Sequence, residues 1–361
     1  MFKTRKFLVF LMVISLVLAS MAVGCGKEAV PSLQEEEKET ILITDSLGRQ
    51  VIVPKQVEKI ACLWNFAGYA VGLLGRGADI VAAQSGLKRD VLFRQFFPEI
   101  IDAAVPKSSG TINIEELMLV NPDLVIIKGV TEEKELEKLE KSQVPFIFLE
   151  FTNVREQQQA MSIIGKAIGR ETEAKRYNDY YQEVITKLQD VVENIPISER
   201  VKVYHAEKEA TRTIQKGSLA ADWSRIAGVI NVSVGEEMNL VDENYYASLE
   251  QILLWDPEVI ICNEKSAADI ITANPQWSGI QAVQDEKVYQ LPQGISRWGH
   301  PNSVETPLAM LWTAKTVYPE KFTHISMEEE IKYFYREFFQ IELSDKIVEQ
   351  ILKAEGLRDP K

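Results

Sequence analysis

From Ile41 onward the chain alternates between short apolar runs and longer segments whose apolar residues recur every three or four positions. "GRQVIVP" alternates like a hairpin arm, and "KIACLW" reads as a buried strand. "NFAGYAVGLLGRG" follows as a helix that turns small and apolar residues toward a sheet, and "ADIVAAQS" supplies the next short strand. Strand, helix and strand in that order predict a parallel sheet with right-handed crossovers, an α/β lobe.

The same logic then recurs far along the chain. "NIEELMLVNPDLVIIK", Asn113 to Lys128, matches "SLEQILLWDPEVIICN", Ser248 to Asn263, pairing Glu115 with Glu250, Leu117 with Ile252, Pro122 with Pro257 and Asp123 with Glu258. Each copy starts an amphipathic helix on an acid, stops it before a proline and continues into an apolar strand. Every pair lies 135 residues apart, well beyond the solenoid periods of about 20–50 residues, so the repeat predicts two similar α/β lobes. Between them, residues 171–194 contain no Gly or Pro and place Ala174, Tyr177, Tyr181, Val184, Leu188 and Val191 at helical steps. That spacing predicts one long bridging helix, stiff because nothing in it favours a kink. "RVKVYHAE" opens the second lobe as a strand, "SLAADWSRIAGVINVS" follows as a helix that Gly228 ends, and two helices with aromatic faces close the chain.

The resulting division is a leader at 1–24, an acidic tether at 25–40, a first lobe at 41–152, a linker with the bridging helix at 153–197, and a second lobe with terminal helices at 198–361. The leader carries Lys3, Arg5 and Lys6, an apolar run from Phe7 to about Leu18, and small residues up to Gly24. It is laid out as a signal peptide, its apolar core being too short to cross about 30 Å of hydrocarbon. "MAVGC" resembles the lipobox of bacterial lipoproteins, with Ala22 where Leu is usual. That resemblance implies cleavage and acylation at Cys25. Localisation is then expected outside the cytoplasmic membrane, lipid-anchored on its outer face.

Charge and special residues narrow the function. The 361 residues carry a formal charge of −13, and loss of the leader, which holds three cations and no carboxylate, takes it to −16. That balance disfavours a nucleic-acid partner. Cys62 and Cys262 each end an apolar run and read as buried thiols rather than a disulfide. Only His205, His300 and His324 occur, and no CxxC pair, GxGxxG, GKS/T, GxSxG or HExxH is present. No catalytic residue, no bare-metal centre and no cofactor is expected; a two-lobed metallocluster reductase would need the cysteine ligands or nucleotide loop that are missing.

"DSLGRQVIVP", the paired "EELMLVNPDLVII" and "EQILLWDPEVIIC", the bridging helix, and "LAMLWTAKTVYPE" ahead of "FYREFF" together resemble the extracellular solute-binding proteins of ABC importers for metal chelates: iron–siderophore, haem and cobalamin. The resemblance spans residues 41–356. It implies a class III periplasmic-binding-protein fold, two Rossmann-like lobes with a ligand cleft between them, acting as a monomer with an ABC permease dimer and its cytoplasmic ATPase. It also implies permease docking through one surface glutamate per lobe, here Glu115 and Glu250, with Glu116 an alternative to the first. An acid in a first helical turn also gains from the helix dipole by about 0.3–1 kcal/mol, so structure alone explains one such residue more readily than two.

Ligands of such lobes sit beyond the carboxyl ends of the strands. The loops there nominate Trp64, Asn65, Tyr69, Ser108, Ser109 and Lys128 in the first lobe, and Tyr246, Arg297, Trp298 and His300 in the second. The stretch "ISRWGHPNS", residues 295–303, is the densest, with a guanidinium fork, an indole, an imidazole and a turn set by Gly299 and Pro301. The first reading is capture of a metal chelate, an iron–siderophore, haem or corrinoid, which would use Trp64, Tyr69 and Trp298 as apolar walls with Arg297 or Lys128 on its charges; the alternative is an oxyanion. A tetrahedral oxyanion such as molybdate or tungstate would use Arg297, His300 and the amides of Ser108 to Gly110. A surface sensor built on the same fold is a more distant reading.

Overall fold

The computed structural model describes residues 39–129 and 131–359, and the expected leader, Cys25 and most of the tether lie outside them. The first lobe contains strands β1 (Thr40–Thr44), β2 (Gln50–Pro54), β3 (Ile60–Cys62), β4 (Ile80–Ala83), β5 (Lys107–Ser108), β6 (Thr111–Ile112), β7 (Leu124–Lys128) and β8 (Phe146–Leu149). Four of them form a wholly parallel sheet in the order β4-β3-β7-β8, as the strand–helix–strand pattern predicts. β1 and β2 pair as an antiparallel hairpin. Its "DSLGR" turn closes on Asp45, whose carboxylate accepts the backbone N–H groups of Leu47 and Arg49 at 3.0 Å and that of Phe148 at 3.1 Å, tying the hairpin to the sheet.

The second lobe contains β9 (Lys202–Ala206), β10 (Arg212–Thr213), β11 (Ile230–Asn231), β12 (Asn239–Val241), β13 (Asn244–Tyr246), β14 (Val259–Cys262) and β15 (Val288–Gln290). These make a mixed sheet in the order β12-β13-β10-β9-β14-β15, with β11 also paired to β9. Its β11-β9-β14-β15 part is parallel like the first lobe, while β10, β12 and β13 add an antiparallel flap. Thus the chain is an α/β protein of two Rossmann-like lobes.

The bridging helix spans Glu171–Val192, two residues shorter than the sequence predicts. Pro196 explains the early stop, since it cannot donate into a helix and biases Ile195 away from helical angles. At 22 residues the helix is about 33 Å long. Its Tyr177, Tyr181, Val184 and Leu188 are buried in the largest apolar cluster, which also takes Cys62 and Ile126 from the first sheet and Val203 and Ile261 from the second. The opposite sheet faces have separate cores: Leu117, Val125 and Ile127 in the first lobe, and Tyr204, Ile252 and Ile260 in the second. Alternation along each strand therefore assigns one face to the lobe and the other to a core shared across lobes. Cys62 and Cys262 are buried and free. Burial raises both thiols, that of Cys262 to about 12, which makes them packing groups rather than reactive ones.

Candidate functional site

The two copies of the repeat fold alike. Asn113 and Ser248 cap their helices, each accepting the N–H three residues on, at 3.1 Å. Leu117 and Ile252 are fully buried beneath them, and Glu115 and Glu250 stand exposed in the first turn. The neighbouring Glu116 is occupied, because its Oε1 accepts the Val105 N–H at 3.1 Å. That leaves Glu115 as the outward acid of the first copy.

Beyond β15 the chain enters the 295–303 loop, and a buried carboxylate organises it. Glu305, fully buried, accepts the Ser296 N–H and hydroxyl at 2.8 Å each and the Tyr335 hydroxyl at 2.7 Å. Burial pushes its carboxyl up to about 7, against the pull of those donors. Gly294 is required at the turn, since a Cβ there would meet Glu305 Oε1 at 2.1 Å and the Tyr335 hydroxyl at 2.3 Å. Gly299 adopts φ +70°, and a Cβ would lie 2.8 Å from the Trp223 ring. The loop reaches the first lobe through Asn302, whose Oδ1 accepts the Trp64 indole N–H at 2.6 Å.

Arg297 and His300 of this loop line a cleft of about 600 Å³. The second lobe also contributes Arg212, Asn263 and Glu264, the first lobe contributes Arg89, and the chain terminus contributes Arg358. Around the whole rim five cations face three carboxylates, a locally positive hollow in a chain of net charge −13. The guanidiniums are held in place: Arg212 Nε binds Glu207 Oε2 at 3.0 Å, Arg297 pairs with Glu264, and Arg89 donates from Nε and Nη2 to the Asp359 carbonyl at 3.0 and 2.6 Å. Each fork has more donors than its partner consumes, a chemistry that suits oxygen-rich anions.

His300 is neutral. Burial and the charges of Arg297, Arg358, Arg212 and Lys128 hold its pKa well below the usual imidazole value. Its Nδ1 accepts the Asn302 N–H at 3.2 Å, which places the remaining proton on Nε2 as a donor.

The other expected contacts lie elsewhere. Trp64, Tyr69 and Trp298 are 6%, 3% and 0% exposed, so the expected apolar walls are absent. Large rings gain most from removal from water, and here packing has claimed them; the Tyr69 hydroxyl donates to the buried carboxylate of Asp90. Asn65 is half-buried in the helix after β3. Ser108 and Ser109 are exposed on the β5–β6 hairpin, whose turn uses Ser109 at φ 49° and Gly110 at φ 86°; their amides are not part of the cleft lining. Lys128 is exposed at the end of β7, and its charge is the smallest of those that lower the pKa of His300. Tyr246 is half-buried behind the rim, its hydroxyl 3.3 Å from Glu209 Oε1. Sequence reasoning missed Arg89, Arg212, Asn263, Glu264 and Arg358, all of which line the cleft.

Comparison with known proteins agrees with this architecture. The chain is 23% identical over 359 residues to the molybdate-binding protein MolA of Haemophilus influenzae, covering 90% of this chain and 97% of that protein. It is 22% identical to the iron-uptake system-binding protein of Bacillus subtilis, covering 81% and 95%. The solved structure of MolA bound to molybdate superposes with a TM-score of 0.76 at 20% identity, covering 84% of this chain and 99% of that one. The family model described as "Periplasmic binding protein" matches residues 69–294, more than half of the chain, and the chain belongs to that family.

Proposed function

We propose that this chain is the exported solute-binding component of an ABC importer, and that it captures a tetrahedral oxyanion of the molybdate type in the arginine-lined cleft. The observation that carries the reading is the convergence of Arg89, Arg212, Arg297 and neutral His300 on one hollow without an aromatic face. Guanidinium forks and an imidazole N–H match the oxygens of such an anion, and the relatives include a molybdate-binding protein. An anionic metal chelate is the second reading, favoured by the cleft volume of about 600 Å³, which exceeds what a bare oxyanion fills. Cys25 would carry the lipid anchor. Glu115 and Glu250 would dock the permease, each beside an exposed leucine, Leu119 at 86% and Leu254 at 79%. The role is capture and delivery rather than catalysis.

Titration calorimetry of the mature protein against molybdate, tungstate, a ferric siderophore and cobalamin tests the reading. Tight binding of molybdate or tungstate with no heat from the chelates is expected. Binding of a chelate alone would reverse the order of the two readings.

A further inference from the structure

After the helix Asp345–Lys353 the chain turns back through residues 354–359. It crosses to the first lobe and pairs with the loop at Arg89–Val91: the Val91 N–H donates to the Leu357 carbonyl at 3.0 Å and the Asp359 N–H to the Arg89 carbonyl at 2.9 Å. Arg94 adds a salt bridge to the Asp359 carboxylate at 2.6 Å, and Leu357 is 4% exposed. On the other side the same helix holds the second lobe, its Ile351 carbonyl accepting the Gln293 N–H at 3.0 Å just ahead of the 295–303 loop.

This strap places Arg358 in the cleft wall. Its guanidinium pairs with Asp90, a carboxylate with no exposure that also accepts the Tyr69 hydroxyl. A buried ion pair is a poor source of stability, since desolvation offsets most of the attraction and an apolar replacement is often no worse. Its position in the wall of an anion-binding hollow supplies a different reason for it. The pair holds the guanidinium at a fixed place, and one carboxylate leaves most of the five donors over.

We propose that the C-terminal segment Leu357–Asp359 is part of the ligand site, with Arg358 contacting the bound anion and Asp90 and Tyr69 holding it in position. The inference rests on the cleft reading above and adds to it a contact from the end of the chain. It also explains the anchoring of Arg89, whose fork is fixed by the Asp359 carbonyl. Loss of the strap therefore disturbs two cleft arginines at once.

The test uses the leaderless chain through Lys361 with any tag placed on the N-terminal side, titrated with sodium molybdate and with a ferric tris-catecholate. Arg358→Gln should weaken binding of whichever probe the wild type holds by about tenfold or more. Arg358→Lys should recover part of that loss, because it restores the charge without the fork. Arg358→Gln leaves the buried Asp90 without its ion-pair partner, so Asp90→Asn/Arg358→Gln serves as the variant with balanced charge, its folding checked by circular dichroism. It should bind as weakly as Arg358→Gln. Wild-type affinity in either variant would overturn the proposal and leave the cleft reading standing, with the pair reduced to a structural tie. A wild type that binds neither probe would remove the cleft reading and this inference together.

Discussion

Residues 113–127 and 248–262 are two versions of one design, yet the two lobes meet the cleft differently. Across those fifteen positions the sequence of buried, half-buried and exposed residues is the same in both copies. Each helix ends on a left-handed residue, Asn121 at φ 46° and Asp256 at φ 43°. Asp123 Oδ2 accepts the Glu58 and Lys59 N–H groups, and Glu258 Oε1 accepts that of Lys202, so each copy secures the entry of its neighbouring strand by the same means. The cleft shows no such symmetry: the second lobe supplies Arg212, Arg297 and His300, whereas the first supplies Arg89 with Arg358 brought from the chain terminus. The repeat thus accounts for the scaffold and its outward faces, and the cleft proposed as the ligand site lies where the copies diverge.

The largest expected effect would break the symmetry from inside. Leu117→Ala and Ile252→Ala each empty a fully buried site beneath an equivalent helix, and each should cost about 2–5 kcal/mol in urea unfolding. Because the two side chains belong to different local cores, the losses should add in the double variant. A strongly non-additive result would show that the lobe cores communicate.

The next effect belongs to the second lobe alone. Glu305, with its carboxyl raised from 4.5 to about 7, contributes stability that is fully present below pH 4.5 and is lost as pH rises through 7. The linked change is about 3 kcal/mol between pH 4.5 and 8. His300, depressed below 6.5, acts in the opposite sense, contributing stability above pH 6.5 that is lost as pH falls. Chemical unfolding of Glu305→Gln across pH 5–8 should show the alkaline loss flattened and the acidic loss retained. An unchanged alkaline slope would show that Glu305 is ionised throughout.

The smallest effect on stability tests the outward faces. Leu119→Ser and Leu254→Ser replace exposed side chains and should change unfolding free energy by no more than about 0.5 kcal/mol. Combined with Glu115→Lys and Glu250→Lys, they should abolish uptake in cells while leaving ligand affinity in solution unchanged. A matching fall in affinity would refute the docking role.

Much of the scaffold is legible in the chain because it rests on local rules. Period-2 and period-3.6 spacing locate the strands and the bridging helix, and the acid-started, proline-stopped repeat locates the helices at Ile114–Leu119 and Leu249–Trp255. The 295–303 loop also follows from local chemistry, since Arg297 and His300 reach the cleft and Gly299 takes the positive φ its turn requires. The aromatic residues are the instructive failure. Trp64, Tyr69 and Trp298 lie in or beside the nominated loops, but a ring is equally suited to a ligand and to a core, and composition does not separate the two uses.

Taken by itself, the sequence determined two repeated α/β units, the rigid helix between them and the absence of the motifs that common catalysis requires. Those properties depend on residues close together in the chain or on a pattern written twice. Tertiary structure alone decided that one sheet face of each lobe joins a common core and that Glu305 sits beneath the cleft loop. It also decided that Arg358, 268 positions from Asp90, turns back to meet it. Such contacts arise from packing between segments remote in sequence, and burial then sets which groups are charged and which donors remain for a ligand.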